Sequence, residues 1–172
     1  KQIRAELEAQ GIQFRSETDS EVVLQALAKW GPEALLRFNG MFALAFWDTK
    51  EKTLLLARDR YGIKPMYFAR QGTRFWFASE HKAIVTDPVF ARTLNLPALL
   101  EYMTFQNIFT DQTLLHDISL LPAGHYMTVS LRNHAIEKHL YWDFHFEEPA
   151  LPADPREYEE ELDRLFNQAV RR

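Results

Sequence analysis

Six histidines, at positions 81, 116, 125, 134, 139 and 145, are the first side chains to weigh for proton transfer or metal binding. No two form the i, i+4 helical pair with an acid between them that a zinc hydrolase uses, so no metal centre is expected. The chain has no cysteine, which removes disulfides, Cys-ligated zinc, iron–sulfur clusters and a cysteine nucleophile within these 172 residues. Gly-x-Gly-x-x-Gly, Walker and Gly-x-Ser-x-Gly patterns are absent as well. The densest chemistry lies in Ala57-Arg-Asp-Arg-Tyr-Gly-Ile-Lys-Pro-Met-Tyr67. A strand end, three charges, a glycine and a proline in so few residues specify a sharp turn. There Asp59 can accept from backbone donors and Gly62 can take positive φ. Read as structure, Arg58 and Asp59 form an ion pair that locks this turn. A second acidic group, Thr18-Asp-Ser-Glu21, stands at a helix start, with Thr18 and Glu21 spaced as a capping box and Asp19 available as an ordinary N-cap.

The elements that must position these groups alternate in type. Residues 1–10 carry a helical pattern, with Ile3 and Leu7 on one side and Gly11 as terminator. Residues 12–15 alternate as a short strand would. Val22, Val23, Leu24, Leu27, Ala28 and Trp30 form a helix face that ends at Gly31, and Pro32 opens a short helix over 33–38. Aromatic and aliphatic runs at 41–48, 53–58, 66–69 and 74–78 predict strands joined by hairpin turns, read together as one antiparallel meander. The run Thr53-Leu-Leu-Leu-Ala57 has the character of a strand buried on both faces. Helices are expected from Ser79-Glu80 to Ile84 and over 96–102, strands over 124–131 and 136–141, and a final helix from residue 156 onward. Glu147 to Pro155, with three prolines, reads as a linker.

Composition limits the partners. The formal charge is -4, from 20 Lys+Arg against 24 Asp+Glu with signs interspersed, which argues against a nucleic-acid-binding stripe. The longest apolar run, 41–47, falls far short of the roughly 20 residues needed to span a bilayer. Neither nucleic acid nor membrane is an expected partner. Both ends stop within helical patterns, so the chain reads as part of a longer protein.

Phe38-Asn-Gly-Met-Phe-Ala-Leu-Ala-Phe-Trp-Asp48, Leu56-Ala-Arg-Asp-Arg-Tyr-Gly-Ile-Lys-Pro-Met-Tyr67 and Phe77-Ala-Ser-Glu-His-Lys-Ala-Ile84, in this order, resemble the glutaminase domain of glutamine-hydrolysing asparagine synthetases. Leu121-Pro-Ala-Gly-His-Tyr126 and Tyr141-Trp-Asp143 are similar to the segment that closes that domain. The resemblance implies an α+β fold, the four-layer αββα sandwich of N-terminal-nucleophile hydrolases with antiparallel sheets. It divides the chain into a glutaminase domain lacking its N-terminal part (1–146), a linker (147–155) and the first helix of a synthetase domain (156–172).

In that family an N-terminal cysteine attacks the side-chain amide of glutamine, with its own α-amine as proton acceptor. An Asn side chain and a Gly amide hold the oxyanion. The released ammonia reaches a second domain, where ATP and magnesium activate aspartate. The resemblance places all catalytic residues outside this chain, which alone is expected to be inactive. It leaves one substrate-binding residue here, Asp19, which by analogy grips the α-ammonium of glutamine. Arg58, Asp59, Ser79 and Glu80 are motif positions read as architecture, without a chemical step. A cytoplasmic location and a homodimer are further expectations. The alternatives are an amidophosphoribosyltransferase, a β-lactam-forming synthetase, or a non-catalytic module of the same fold.

Overall fold

The structure, a computed structural model, describes residues 1–147 and 154–171. Helix α1 (Gln2–Ala9) ends where Gly11 takes φ +85°, and α2 (Asp19–Trp30) ends at Gly31; the 3-10 helix Gly31–Arg37 follows, with Pro32 in its first turn. Strands β1 (Ala43–Asp48) and β2 (Thr53–Arg58) form a hairpin whose turn is fixed by Asp48, which accepts from the N–H groups of Lys50 (2.8 Å) and Glu51 (2.9 Å). Strands β3 (Tyr67–Gln71) and β4 (Arg74–Ala78) form a second hairpin through Gly72. Helices α3 (His81–Val85) and α4 (Leu96–Phe105), strands β5 (Ile118–Leu120), β6 (His125–Ser130) and β7 (Ile136–Leu140), and helix α5 (Pro155–Val170) complete the order.

All pairings are antiparallel, but the strands divide into two sheets, in the orders β1-β2-β6-β7 and β4-β3-β5. The single meander expected over 41–78 is therefore corrected. The chain leaves the first sheet at Arg58 and enters the second at Tyr67, because the turn between them redirects it instead of reversing it. Strand β5 has only three residues, too few for an alternation to register in the sequence.

Side-chain alternation along β2 stacks the layers. Leu55 and Ala57 point one way, into a core with Leu7, Ala26, Leu27 and Leu35 from the helices. Leu56 points the other way, into a core with Met66, Leu121, Met127 and Val129, against which Phe68 and Phe75 of the second sheet also pack. The far side of that sheet, with Ala69 and Ile118, meets Ile84 of α3 and Phe90. Helices, sheet, sheet and helix thus follow one another, the αββα order expected, with Leu55, Leu56 and Ala57 all buried.

Three local expectations are corrected. Residues 12–15 form no strand, since the N–H groups of Arg15 and Ser16 are bound by the Glu21 carboxylate and not by a neighbouring strand. Glu21 for the same reason makes no capping box with Thr18, which is the N-cap without a side-chain cap bond. Pro155 belongs to α5 as its first residue, where a missing N–H costs nothing, and Asp154 caps the helix by accepting from the Arg156 N–H at 3.0 Å. Of the expected linker, residues 148–153 lie outside the described residues, as does Arg172 of the final helix.

Candidate functional site

Two regions carry most of the acidic and basic side chains singled out by the sequence. The first is the loop that enters α2. Asp19 is the first residue of that helix and is exposed to solvent. Thr18, not Asp19, occupies the N-cap, which leaves the Asp19 carboxylate without the capping duty that its sequence position suggested.

The loop before it is tied down from both sides. Glu21 accepts from Arg15 N (2.8 Å), Ser16 N (2.7 Å) and Ser16 Oγ (2.7 Å), and these bonds hold its carboxyl below the usual range. Arg4 of α1 donates through Nη2 to the carbonyls of Ser16 (2.9 Å) and Thr18 (3.4 Å), and its guanidinium lies 4.3 Å from the Phe14 ring centroid. An open groove of ≈ 520 Å³ runs beside this loop, lined by Arg4, Glu8, Phe14 and Ser16 among others.

The second region is the turn after β2. Asp59 is 1% exposed, and its Oδ1 accepts from the N–H groups of Tyr61 (3.2 Å) and Ile63 (3.0 Å) while Oδ2 accepts from those of Phe42 (3.2 Å) and Lys64 (3.0 Å). Burial alone would raise its pKa, but the four backbone donors outweigh it and hold the carboxyl below its ordinary value. Arg58 spends its guanidinium on three carbonyls, those of Lys64 (2.9 Å), Leu121 (2.8 Å) and Gly62 (2.5 Å). The expected ion pair between Arg58 and Asp59 is thus corrected. Consecutive residues at a strand end point to opposite sides, and each charge is satisfied by backbone instead.

Other strands close on the same turn. Gly124 N donates to Asp59 O (3.0 Å), Tyr141 N and Trp142 N donate to Gly124 O (2.8 and 3.2 Å), and the Tyr141 hydroxyl donates to Arg58 O (2.8 Å). Burial is the main reason that the Tyr141 phenol is pushed up to about 12. This clasp joins the end of β2 to the start of β6 and the end of β7, and Arg58, by reaching Leu121 just past β5, couples the two sheets. Ser79 and Glu80 sit apart on the surface, where Glu80 precedes α3 and pairs with Lys82 at 2.7 Å. No recorded hydrogen bond or ion pair among the described residues links Asp19 to the 58–65 turn or to Glu80. The charges of the turn are met by backbone groups and Glu80 is paired with Lys82, whereas Asp19 is exposed at the start of α2.

The family described as glutamine amidotransferase domain matches residues 1–142. The chain belongs to that family. Within the glutamine amidotransferases it is 43% identical over 86 residues to asparagine synthetase [glutamine-hydrolyzing] 3 of Bacillus subtilis (strain 168), covering 50% of this chain and 14% of that protein. It is 33% identical over 128 residues to asparagine synthetase [glutamine-hydrolyzing] 1 of the same organism, covering 74% and 20%. The matched stretches thus amount to a fifth or less of these relatives' own length.

Among solved structures, glutamine phosphoribosylpyrophosphate amidotransferase from B. subtilis superposes with a TM-score of 0.52 at 16% identity, covering 82% of this chain and 26% of that one. At that identity the likeness concerns the fold. The shared fold is an α+β sandwich with antiparallel sheets. No helix among the described residues is long and apolar enough to cross a membrane.

The positions that sequence reasoning missed are Arg4 and Glu21. Glu21 is visible in the sequence only as a capping-box acid three residues after Thr18, whereas its partners lie five and six residues back. Arg4 carries no local signal at all, since it reaches across from another helix.

Proposed function

We propose that this chain supplies the α-ammonium side of a glutamine pocket in a glutamine-hydrolysing asparagine synthetase, with Asp19 as the binding residue. The observation that carries the reading is the amidotransferase match over 1–142 together with an exposed Asp19 carboxylate at the first turn of α2. A carboxylate so placed attracts an ammonium through charge and hydrogen bonding. The covalent step falls to a cysteine in a part of the protein beyond this chain, since the chain has none. Cleavage of the glutamine side-chain amide there would release the ammonia that amidates aspartate.

The same reading assigns 1–146 to the glutaminase domain and α5 to the start of a synthetase domain. Support comes from α5, whose residues, including the apolar Leu162, Leu165 and Phe166, are all exposed, as an amphipathic helix is when its partner surface lies elsewhere. ATP and magnesium belong to that further domain, as does aspartate. Among the described residues no group of three or more His, Asp or Glu side chains is placed to hold a metal ion. A cytoplasmic homodimer is part of the same proposal for the whole protein. The likeness to the phosphoribosylpyrophosphate amidotransferase concerns the fold and does not select another acceptor.

The test is Asp19→Ala in the full-length protein. Losing a charged hydrogen bond predicts a rise in the glutamine KM of about 10- to 100-fold, with ammonia-dependent synthesis unchanged because ammonia needs no α-ammonium grip. Equal loss of both activities would make Asp19 a structural residue and overturn the assignment.

A further inference from the structure

We propose that Glu21 is a positioning residue for the glutamine pocket: its carboxylate gathers the loop 15–18 and so fixes where Asp19 presents its charge. The inference rests on the assignment of Asp19 above and concerns what holds that residue in place.

Three donors converge on one carboxylate, Arg15 N, Ser16 N and Ser16 Oγ, at 2.7–2.8 Å. The Ser16 hydroxyl lies 2.9 Å from Thr18 Oγ1, so the network continues to the residue immediately before Asp19. Arg4 takes the carbonyl side of the same loop, at Ser16 O and Thr18 O. The loop is thereby held by an anion on its N–H groups and a cation on its carbonyls, and the two groups come from different helices, α2 and α1.

Helix formation does not require this arrangement. A capping acid would bind the N-cap residue, whereas Glu21 passes over Thr18 and reaches back to residues outside the helix. Stabilising α2 alone would not need contacts to Arg15 and Ser16. Fixing the approach to Asp19 does, because a loop of exposed residues otherwise samples many conformations, and each side-chain grip on a ligand weakens when its backbone wanders.

The chemistry also calls for a carboxylate. Two oxygens offer about four acceptor sites for the three donors, whereas a carboxamide places an NH₂ group against donors and loses part of the set. Glu21→Gln therefore breaks the grip while preserving size and helix propensity.

The experiment measures glutamine-dependent and ammonia-dependent synthesis in the full-length protein for Glu21→Gln, Asp19→Ala and the double variant. If Glu21 acts through Asp19, Glu21→Gln raises the glutamine KM about fivefold or more, leaves ammonia-dependent turnover within about twofold, and adds little to Asp19→Ala in the double variant. Ser16→Ala, which removes one donor and spares α2, is expected to raise the glutamine KM about twofold and serves if Glu21→Gln does not fold.

A glutamine KM unchanged in both Glu21→Gln and Ser16→Ala overturns the proposal, as do multiplicative effects in the double variant or a parallel fall of both activities. Should Asp19→Ala itself leave the glutamine KM unchanged, or the unaltered protein fail to use glutamine, the underlying assignment falls and this inference with it. An effect of Asp19→Ala without one of Glu21→Gln removes the inference alone.

Discussion

Replacing Asp59 with alanine is expected to cost about 4 kcal/mol or more, because four backbone N–H groups lose one buried acceptor and each is left unpaired at about 1–3 kcal/mol. The donors are those of Phe42, Tyr61, Ile63 and Lys64, gathered on a side chain that is itself 1% exposed. Asp59→Asn is expected to be nearly as damaging, since one of its two terminal atoms becomes a donor and faces donors. Urea unfolding of each variant against the parent measures the loss, and a cost below about 1.5 kcal/mol would show that the turn does not depend on this carboxylate.

The effect has a direction in pH. The folded-state pKa of Asp59 lies below its unfolded value of about 3.9, so the carboxylate contributes fully above that value and its contribution fades as pH falls through the folded value. The stability gap between parent and Asp59→Ala should accordingly be widest near neutrality and shrink in acid below about pH 4.

Gly124→Ala is the second large effect expected, about 3 kcal/mol or more. An added Cβ would stand 2.2 Å from the carbonyl oxygen of Trp142, a contact no rotamer can relieve because both atoms are backbone-fixed. Gly124 also has φ +64°, a region that a Cβ makes costly. Moving the strand to make room would pull on the bonds from Tyr141 and Trp142 to Gly124 O. Gly72→Ala is the control, because Gly72 has φ +59° but nothing within 4 Å of its would-be Cβ. That variant should lose only the backbone component, about 1 kcal/mol, and equal losses at the two positions would deny Gly124 its packing role.

What the sequence disclosed follows the strength of its periodic signals. The helices around α1 and α2, the two hairpins and the β6–β7 pair were legible, since each has several apolar positions at one spacing and a turn residue at its end. The division of the strands into two sheets was not. The residues between Arg58 and Tyr67 announce a turn, but which way it sends the chain depends on Leu121, Gly124 and Tyr141, which arrive much later in sequence. The backbone-accepting role of Asp59 and the positive φ of Gly62 were readable from local chemistry, whereas its pairing with Arg58 was misread because adjacency along a strand is separation across it. The pattern at 12–15 imitated a strand for want of any local sign that Glu21 takes its donors. At the site, the family resemblance singled out Asp19, while the groups that brace its loop come from a distance or from an unusual offset.

The clasp between the sheets also bears on the order of events in folding. Arg58 meets Leu121 across 63 residues and Tyr141 across 83, so these bonds close only after both ends of a long chain segment have been brought together. Contacts of that kind are expected to form after the hairpins. Weakening them should speed unfolding several-fold while leaving the refolding rate nearly unchanged, a split that stopped-flow chevrons of Tyr141→Phe can read directly. The lifetime of the folded domain, more than its rate of formation, is what these late bonds govern.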